Sequence, residues 1–314
     1  MNILVCGGAG FIGTNYILQS IDFFPVDTNF RVLDKLTYAG SFDPFLKTKI
    51  EIVHGDICDQ YLMQRQIDWA DLVINFAAES HVDNSIKNAI PFVKTNVLGA
   101  QNIFEVASKF KNKYVVQIST DEVYGSKVSG DSCEGDVFLP NSPYSASKAS
   151  ADMFARAYEK TFDLKLITIR PCNNFGPYQN VEKFIPLSIT KLISGNKITI
   201  YGDGSNMREW IFVADTCKAI NLLIKSEQWG EVFNIGSGFK LTNLDLAKKI
   251  CQKLKVPYEL ISFIDDRLGH DFRYSLNTSK LKSLGIDIAD SFDFNLEKTI
   301  EWYIENKSWW DAKK

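Results

Sequence analysis

Two short segments of the sequence together carry the groups that acid–base catalysis needs. One contains Thr120, Asp121 and Glu122, a hydroxyl followed by two adjacent carboxylates, and the other contains Tyr144 and Lys148. A Tyr and a Lys four residues apart on a helix lie on the same face, so the ammonium group can stabilise the phenolate. Lowering a tyrosine pKa from ~10 to ~7 takes about 4 kcal/mol, which a close cation in a partly dry site can supply. The spacing therefore predicts that Tyr144 is a base near neutral pH.

The same spacing occurs a second time, at Tyr303 and Lys307. No glycine-rich turn or catalytic-looking strand lies nearby, and the surrounding residues have the pattern of an amphipathic helix. We interpret this second pair as structural. The prediction that Tyr144 and Lys148 are catalytic therefore depends on the residues around them.

The beginning of the chain has the pattern of a dinucleotide-binding unit. An apolar strand over 2–6 is followed by Gly7, Gly10 and Gly13, and a helical pattern runs over 14–20. Glycines permit a tight turn and let backbone N–H groups approach a pyrophosphate at a helix N-terminus. A second strand ends at Asp34, whose carboxylate suits the ribose 2′-hydroxyl of NAD and would repel the 2′-phosphate of NADP. We predict NAD as the cofactor, with the adjacent Lys35 leaving some room for NADP.

Alternating strands and helices follow this unit. Apolar runs predict further buried strands at 50–53, 71–76, 114–118 and 165–169, and helical patterns cover 91–110 and 142–162. This order predicts an α/β fold with a Rossmann-type doubly wound parallel sheet and a ligand site at the carboxyl ends of its strands. We predict an NAD-binding Rossmann domain over 1–170 and a smaller C-terminal substrate-binding lobe over 171–314, with the chain crossing back to the large domain around 210–236.

The cofactor site follows from the glycine turn and the strand ends. Its predicted members are Gly7, Gly10, Phe11, Ile12, Gly13, Asp34, Lys35, Asp56, Ile57, Ala77, Tyr144 and Lys148.

Composition excludes several classes of partner. The 314 residues are 45% hydrophobic and carry a net charge of −3, which argues against a nucleic-acid or anionic-membrane surface. No apolar run approaches a membrane span, and the first residues enter a strand rather than a signal peptide. Six cysteines lack C-x-x-C spacing and three histidines are dispersed, so we predict no metal site and a soluble cytoplasmic protein.

With these residues identified, the chain resembles the extended short-chain dehydrogenase/reductase superfamily, and within it the nucleotide-sugar 4,6-dehydratases. The resemblance is strongest to the enzymes that act on dTDP-glucose, and it covers nearly the whole length. The glycine motif is common to the superfamily, whereas the Thr-Asp-Glu run and the DRLGHDFRY segment are much more specific. The matching segments are GGAGFIG, LDKLTYAG, GDI, FAAESHVD, STDEVYG, PYSASKA, NNFGPYQ, YGDGSNMREW and DRLGHDFRY.

The resemblance implies a role for each catalytic candidate. Tyr144, as phenolate, takes the proton of the sugar 4-hydroxyl while hydride leaves C4 for NAD, and Lys148 and Thr120 assist it. The new ketone acidifies the C5 proton, which Glu122 removes, and Asp121 protonates the departing 6-hydroxyl. The two adjacent carboxyl groups must then hold opposite protonation states, so their surroundings should push their pKa values apart.

The resemblance also implies a substrate site and an assembly. Family members usually carry Arg where Asn84 stands, so the nucleotide base and the 2-substituent of the sugar stay open. The helices over 91–110 and 142–162 pair across a two-fold axis in the family, which implies a homodimer. The substrate-binding candidates are Glu79, Ser80, Asn84, Asn173, Asn174, Lys183, Tyr201, Arg208 and Arg267.

Other functions remain to be weighed against this one. UDP-GlcNAc is the alternative substrate within the class, and an NDP-sugar 4-epimerase or a ketoreductase is the alternative reaction. Asp121 and Glu122 argue against both alternative reactions, because neither eliminates water. A binding protein that kept the fold and lost turnover would typically have lost the Tyr, the Lys or the acid pair, and this chain keeps them all.

Overall fold

The structure is a computed structural model that describes residues 1–45, 50–289 and 291–312. Twelve strands occur in the part of the chain that it describes. They are β1 (Asn2–Cys6), β2 (Asn29–Asp34), β3 (Glu51–His54), β4 (Leu72–Asn75), β5 (Tyr114–Ile118), β6 (Lys165–Pro171), β7 (Asn173–Phe175), β8 (Ile198–Tyr201), β9 (Met207–Phe212), β10 (Val232–Ile235), β11 (Lys240–Thr242) and β12 (Ile261–Ile264).

The helices complete the alternation that the sequence predicts. A π-helical segment, Val93–Gly99, joins α4 to α5 without a break. The helices are α1 (Phe11–Ser20), α2 (Gln60–Trp69), α3 (Val82–Lys87), α4 (Ile90–Phe92), α5 (Ala100–Ala107), α6 (Pro143–Phe162), α7 (Phe184–Ile193), α8 (Val213–Lys225), α9 (Asn243–Leu254), α10 (Ser279–Ser283), α11 (Phe292–Glu305) and α12 (Lys307–Asp311).

A seven-stranded parallel sheet forms the centre of the molecule. Its strand order is β10-β6-β5-β4-β1-β2-β3, so the chain starts in the middle and winds outward in both directions. Successive residues of a strand point to opposite faces. Ile3 and Val5 pack in the core that holds α1 and α8, whereas Leu4 and Cys6 pack in the core that holds α2, α5 and α6. The predicted α/β fold with a doubly wound sheet is confirmed.

A third hydrophobic core lies outside this sheet. It surrounds a three-stranded sheet, β11-β9-β7, and a two-stranded sheet, β12-β8, and includes apolar residues of α7, α9 and α11. The chain enters this region directly after β6 and then returns. Helix α8 packs against α1, and β10 pairs in parallel with β6, with Val232 opposite Thr168.

Two helices differ from their predicted extents. The helix expected over 91–110 begins at Ile90, ends at Ala107 and contains the π-helical segment. The N-terminal helix begins at Phe11, three residues before the expected start, because Gly10 already adopts the extended N-cap conformation. One-residue insertions such as the π-helical segment Val93–Gly99 occur often at functional sites.

Candidate active site

The predicted site residues converge on the carboxyl edge of the large sheet. The glycine turn follows β1, Asp34 ends β2, and the acid pair follows β5. In a parallel doubly wound sheet this edge is where ligands bind. Three adjoining cavities lie along it, two against the large sheet and one against the third core.

The glycine turn is shaped for close approach of a ligand. Gly7 has φ +71°, and a Cβ placed there would lie 2.4 Å from the Ala77 nitrogen. A Cβ at Gly13 would lie 2.5 Å from the Gly7 carbonyl oxygen. Helix α1 begins at Gly10 with no side-chain cap and no acidic residue in its first turn. Its N-terminal N–H groups and dipole therefore favour a phosphate group.

The two cavities against the large sheet are together lined by every predicted cofactor residue, and we call them the first and second dinucleotide cavities. Asp34 lies in the first, where its two oxygens accept hydrogen bonds from the backbone N–H groups of Ala9 at 3.0 Å and Leu36 at 2.8 Å. Lys35 forms an ion pair with Asp56 at 2.6 Å. The first cavity is lined by Gly7, Gly10, Asp34, Lys35, Asp56, Ile57 and Ala77, and the second by Gly7, Gly10, Phe11, Ile12, Gly13, Tyr144 and Lys148.

The acid pair lies in one tight helical turn, Asp121–Tyr124. Thr120 caps this turn, because its Oγ1 accepts a hydrogen bond from the Glu122 backbone N–H at 3.2 Å. The Thr120 hydroxyl also donates to Asp121 Oδ1 at 3.1 Å. Gly125 ends the turn at φ +72°, where a Cβ would lie 2.1 Å from the Leu139 carbonyl oxygen. The turn thus holds both carboxyl groups against the end of β5.

Helix α6 places Tyr144 and Lys148 beside that turn. The helix starts with a capping box between Ser142 and Ser145. The Tyr144 backbone N–H donates to Ser85 Oγ at 3.2 Å, which ties the start of α6 to α3. Lys148 Nζ donates to the carbonyl oxygen of Ile118, the last residue of β5, at 2.6 Å. Both side chains are buried, and both line the second dinucleotide cavity.

The lowered pKa expected for Tyr144 is not what the structure gives. Burial and the neighbouring carboxylate of Glu122 raise the pKa of Tyr144, and the hydrogen bond with Thr120 lowers it only in part. Burial lowers the pKa of Lys148 to about 8. The spacing of Tyr144 and Lys148 shows the cation, but it shows neither the desolvation of both groups nor the carboxylates of Asp121 and Glu122, which raise the pKa of Tyr144.

The two carboxyl groups have different surroundings. Burial, followed by the charges of Glu122 and Glu209, raises the pKa of Asp121 well above its usual range. Burial also raises the pKa of Glu122, but the cations Arg208, Arg267 and Lys183 oppose that rise. The pKa of Asp121 is therefore raised further than that of Glu122, which is the direction that an acid beside a base requires.

The third cavity, of about 440 Å³, extends from Glu122 into the third core. Arg208 is buried there, where it donates to the Asp271 carbonyl oxygen at 2.9 Å and lies over the Tyr274 ring. Lys183 donates to the Ser80 carbonyl oxygen at 2.6 Å. The predicted residues that line this cavity are Ser80, Asn173, Lys183, Tyr201, Arg208 and Arg267.

Three substrate-binding candidates lie elsewhere. Glu79 lines the first dinucleotide cavity. Asn84 is exposed on α3, and Asn174 is buried with its side chain donating to the Cys172 carbonyl oxygen at 3.0 Å. The structure therefore does not bring these three together with Glu122. The positions of Asn84 and Asn174 follow from helix and strand alternation, which places neighbours of a cavity residue on another face.

Several cavity residues were not selected from the sequence. Asp83 accepts hydrogen bonds from Tyr201 and Arg267. These contacts could not be predicted from the sequence, because they form only where the third core folds back over α3. His81 and His270 both line the third cavity. The other unselected lining residues include Glu182, Trp210 and Tyr274.

The second Tyr–Lys pair does not lie on one helix. Helix α11 ends at Glu305, so Tyr303 and Lys307 belong to different helices. Tyr303 is fully buried in the third core, and its hydroxyl donates to the Gln179 carbonyl oxygen. Its role is structural.

Neither a metal-binding cluster nor a membrane-spanning helix occurs among the described residues. Over residues 1–45, 50–289 and 291–312, no group of three or more His, Cys, Asp or Glu side chains is placed to hold a metal ion. In the same ranges, no helix has both the length and the apolar content needed to span a bilayer.

Comparison with known proteins identifies the family. The family model described as GDP-mannose 4,6 dehydratase matches residues 4–286. The chain belongs to the GDP-mannose 4,6 dehydratase family. A dTDP-glucose 4,6-dehydratase of Streptomyces niveus is 42% identical over 322 residues, covering 100% of this chain and 96% of the relative. The predicted relation to nucleotide-sugar 4,6-dehydratases is thus confirmed.

Solved structures of this family and of its neighbours agree with the fold. DesIV, a dTDP-glucose 4,6-dehydratase of Streptomyces venezuelae solved with NAD and dTDP bound, matches with a TM-score of 0.97 at 43% identity over 100% of both chains. A UDP-glucose 4-epimerase of Thermotoga maritima matches with a TM-score of 0.90 at 28% identity, over 98% of this chain and 100% of that one. The epimerase shares the architecture but is the more distant in sequence.

Proposed function

We propose that this protein is an NAD-dependent nucleotide-sugar 4,6-dehydratase that converts dTDP-glucose to dTDP-4-keto-6-deoxyglucose and water. The observation that carries the proposal is the adjacent pair of Asp121, which is buried, and Glu122, which is half-buried, beside Tyr144 and Lys148. The pKa of Asp121 is raised further, whereas three cations oppose the rise at Glu122. An epimerase or a ketoreductase eliminates no water and needs no such pair. The relatives at 42% and 43% identity are dTDP-glucose 4,6-dehydratases, which supports this substrate.

The residues present fit NAD. The cradle at Gly7 and Gly13 leaves no room for a side chain, and the uncapped start of α1 offers N–H groups to a pyrophosphate. Asp34 presents a carboxylate where a ribose 2′-hydroxyl would be bound, and this charge disfavours the phosphate of NADP. Bound there, NAD would supply a reversible hydride acceptor for the oxidation at C4 and the reduction at C6, and its positive nicotinamide would favour the phenolate of Tyr144.

Each catalytic side chain has a separate role in the proton transfers. Tyr144 removes the proton of the 4-hydroxyl, and Thr120, hydrogen-bonded to it, orients the same oxygen. Lys148 supplies the positive charge that the phenolate needs. Glu122 removes the proton at C5 once C4 is a ketone, because the carbonyl stabilises the carbanion. Asp121, held protonated, donates its proton to the 6-hydroxyl as it leaves as water, and Glu122 then returns its proton to C5.

The third cavity suits the rest of the substrate. Arg208 and Arg267 can pair with a diphosphate, and Lys183 lies between the two halves of the site. Ser80, Asn173 and Tyr201 supply the hydroxyl and amide groups that a hexose and a nucleotide base require. These are the roles that we propose for the six lining residues.

Product analysis tests the proposal. Incubation with dTDP-glucose is expected to give a product lighter by one water, with NAD neither consumed nor accumulated as NADH, because the hydride leaves C4 and returns to C6. Mass spectrometry measures the product and near-ultraviolet absorbance measures the cofactor. UDP-GlcNAc and UDP-glucose are the comparison substrates. Stoichiometric NADH would instead identify a simple dehydrogenase, and an unchanged mass with inverted C4 would identify an epimerase.

The organisation and setting of the enzyme are part of the proposal. We propose that residues 1–170 bind NAD, that the chain crosses back to them over 210–236, and that the remainder of 171–314 binds the substrate. The return of α8 and β10 to the large sheet supports this division. All six cysteines are free thiols, which supports a cytoplasmic setting.

We also propose a homodimer that forms through α6 and the helix running from α4 to α5. Large apolar side chains on these helices are exposed, among them Ile90 at 60%, Leu98 at 55% and Met153 at 52%. Exposed apolar patches of this kind mark protein interfaces. Light scattering at micromolar concentration is expected to give about twice the 35.6 kDa of one chain. A mass of a single chain would refute the dimer.

A further inference from the structure

A buried ion pair lies one helical turn beyond Lys148. Asp152 follows Lys148 by four residues on α6, so the two side chains share a face of the helix. Asp152 Oδ2 accepts a hydrogen bond from Arg170 Nε at 2.8 Å. The side chains of Asp152 and Arg170 are 1% and 5% exposed. Both lie outside the walls of the three site cavities, so direct contact with the substrate does not explain them.

Arg170 is fixed from several directions. Its Nη1 donates to the Tyr124 hydroxyl at 2.7 Å and to the Glu134 carbonyl oxygen at 2.9 Å. The guanidinium also lies over the Phe138 ring, 4.6 Å from its centroid. The Tyr124 hydroxyl donates in turn to Asn234 Oδ1 at 2.8 Å. The acid turn and the segment before α6 thus hold this cation of β6 against Asp152.

Burying an ion pair in a core has a free-energy cost. Two apolar side chains of similar volume are often as stable as a buried ion pair, because the charges lose their hydration. Arg170 opposes the rise in the pKa of Asp152 that burial causes, and so favours the ionised form of this carboxyl group. Stability of the fold alone therefore does not account for this pair.

An anion at Asp152 would stabilise the charged form of the Lys148 ammonium. Its ammonium makes one hydrogen bond, to the Ile118 carbonyl oxygen, and burial lowers its pKa to about 8. Asp152 is the neighbour that opposes this fall. The titratable and charged groups facing this part of the site are Tyr144 and Asp152 on α6, Asp121 and Glu122 after β5, Arg170 on β6, and Glu182 and Lys183 across the cavity.

We propose that Asp152, fixed by Arg170, is a positioning residue that keeps Lys148 charged for the reaction at Tyr144. The catalytic part of this inference rests on the proposed function, whereas its electrostatic part does not. Without the anion, the desolvated ammonium loses its proton more readily. Its pKa then falls, and the fraction of charged Lys148 decreases just above neutral pH.

A direct titration of Lys148 tests the electrostatic part. In protein labelled with carbon-13 lysine, the Lys148 resonance is assigned by its absence in Lys148→Met. Its midpoint is expected near pH 8 and to fall by about one pH unit in Asp152→Asn. Asp163→Asn, at the exposed C-terminus of the same helix, is the matched control and should leave the midpoint unchanged. An unmoved midpoint in Asp152→Asn would overturn the inference, whatever the enzyme's substrate.

Kinetics test the catalytic part. In Asp152→Asn, the first oxidation of the sugar at pH 8 is expected to be about fivefold slower, with a much smaller loss at pH 6, where Lys148 stays charged in both proteins. Asp152→Glu, which restores the anion, is expected to restore the rate. An equal loss at every pH would show that Asp152 is only structural. A protein without dehydratase activity but with a shifted midpoint would refute the proposed function and leave the electrostatic inference standing.

Folding of the single variant has its own control. Asp152→Asn leaves the charge of Arg170 buried without a counter-ion, which destabilises the fold. The double variant Asp152→Asn/Arg170→Gln removes both charges and keeps polar groups at both positions. It is expected to lower the Lys148 midpoint in the same direction, because Asp152 is the charge that opposes the fall in the pKa of Lys148. A raised midpoint in the double variant would contradict the inference.

Discussion

Replacing Tyr144 by Phe is expected to slow the first oxidation of the sugar by about 10²- to 10⁴-fold, the range that a positioned acid–base group contributes. The variant removes one hydroxyl and keeps the ring, which packs edge-to-face against Phe92 at 6.4 Å between centroids. The fold should therefore persist while the 4-hydroxyl loses its base. Stopped-flow absorbance of enzyme-bound reduced nicotinamide measures the step, and neither NADH nor product should appear at the normal rate.

A second tyrosine of α6 gives the matched control. Tyr158 is also buried, and its hydroxyl donates to Glu105 Oε2 at 2.8 Å, on the side of the helix that faces α5. Tyr158→Phe loses a hydrogen-bonded phenol as well, but one far along the helix from the carboxyl edge of the sheet. It should lose about 1 kcal/mol of stability and keep its rate. A Tyr144→Phe enzyme within a few fold of the parent rate would rule out Tyr144 as the base.

Replacing Glu122 by Gln is expected to stop the reaction after the first oxidation. The hydroxyl at C4 still meets Tyr144, so reduced nicotinamide should accumulate on the enzyme without any 6-deoxy product. The amide cannot take the C5 proton, and the product should form at least 10²-fold more slowly. In deuterium oxide, the parent enzyme should place deuterium at C5 and the variant should not. Mass spectrometry and nicotinamide absorbance together read both half-reactions.

The control for this substitution is a carboxylate at the opposite edge of the sheet. Glu51, at the start of β3, forms an ion pair with Arg31 at 2.6 Å with its own side chain 57% exposed. Such exposed pairs contribute about 0–1 kcal/mol, so Glu51→Gln should react normally. Deuterium incorporation at C5 by Glu122→Gln at the parent rate would transfer the role of base to another group.

Local pattern was sufficient for the large sheet and for its glycine turn. Each of the first six strands of that sheet occurs within two residues of its predicted bounds, because buried parallel strands are short apolar runs between polar ends. The cofactor candidates were predictable for the same reason, since the ends of consecutive parallel strands meet at one edge. The acid pair and Tyr144 follow from residue type and spacing.

The remaining features depend on contacts between distant parts of the chain. No local pattern shows that Asp83 meets Arg267, 184 residues away. The pKa of Tyr144 depends on desolvation, which needs the packed site. The π-helical segment before α5 is equally invisible, because its extra residue changes hydrogen bonds and leaves the apolar pattern nearly intact. Asn84 and Asn174 lie outside the third cavity, because a motif match does not specify which face a side chain occupies.

The late return of the chain to the large sheet has a consequence for its synthesis. Ile17 of α1 is covered by α8, and β6 has β10 as its outer neighbour, yet both partners follow an excursion of about 40 residues. A nascent chain that has just left the ribosome as far as β6 exposes an apolar helix face and an open strand edge. Such a chain needs protection until residue 235 emerges. Slow translation across this stretch would prolong its exposure to chaperones and to aggregation.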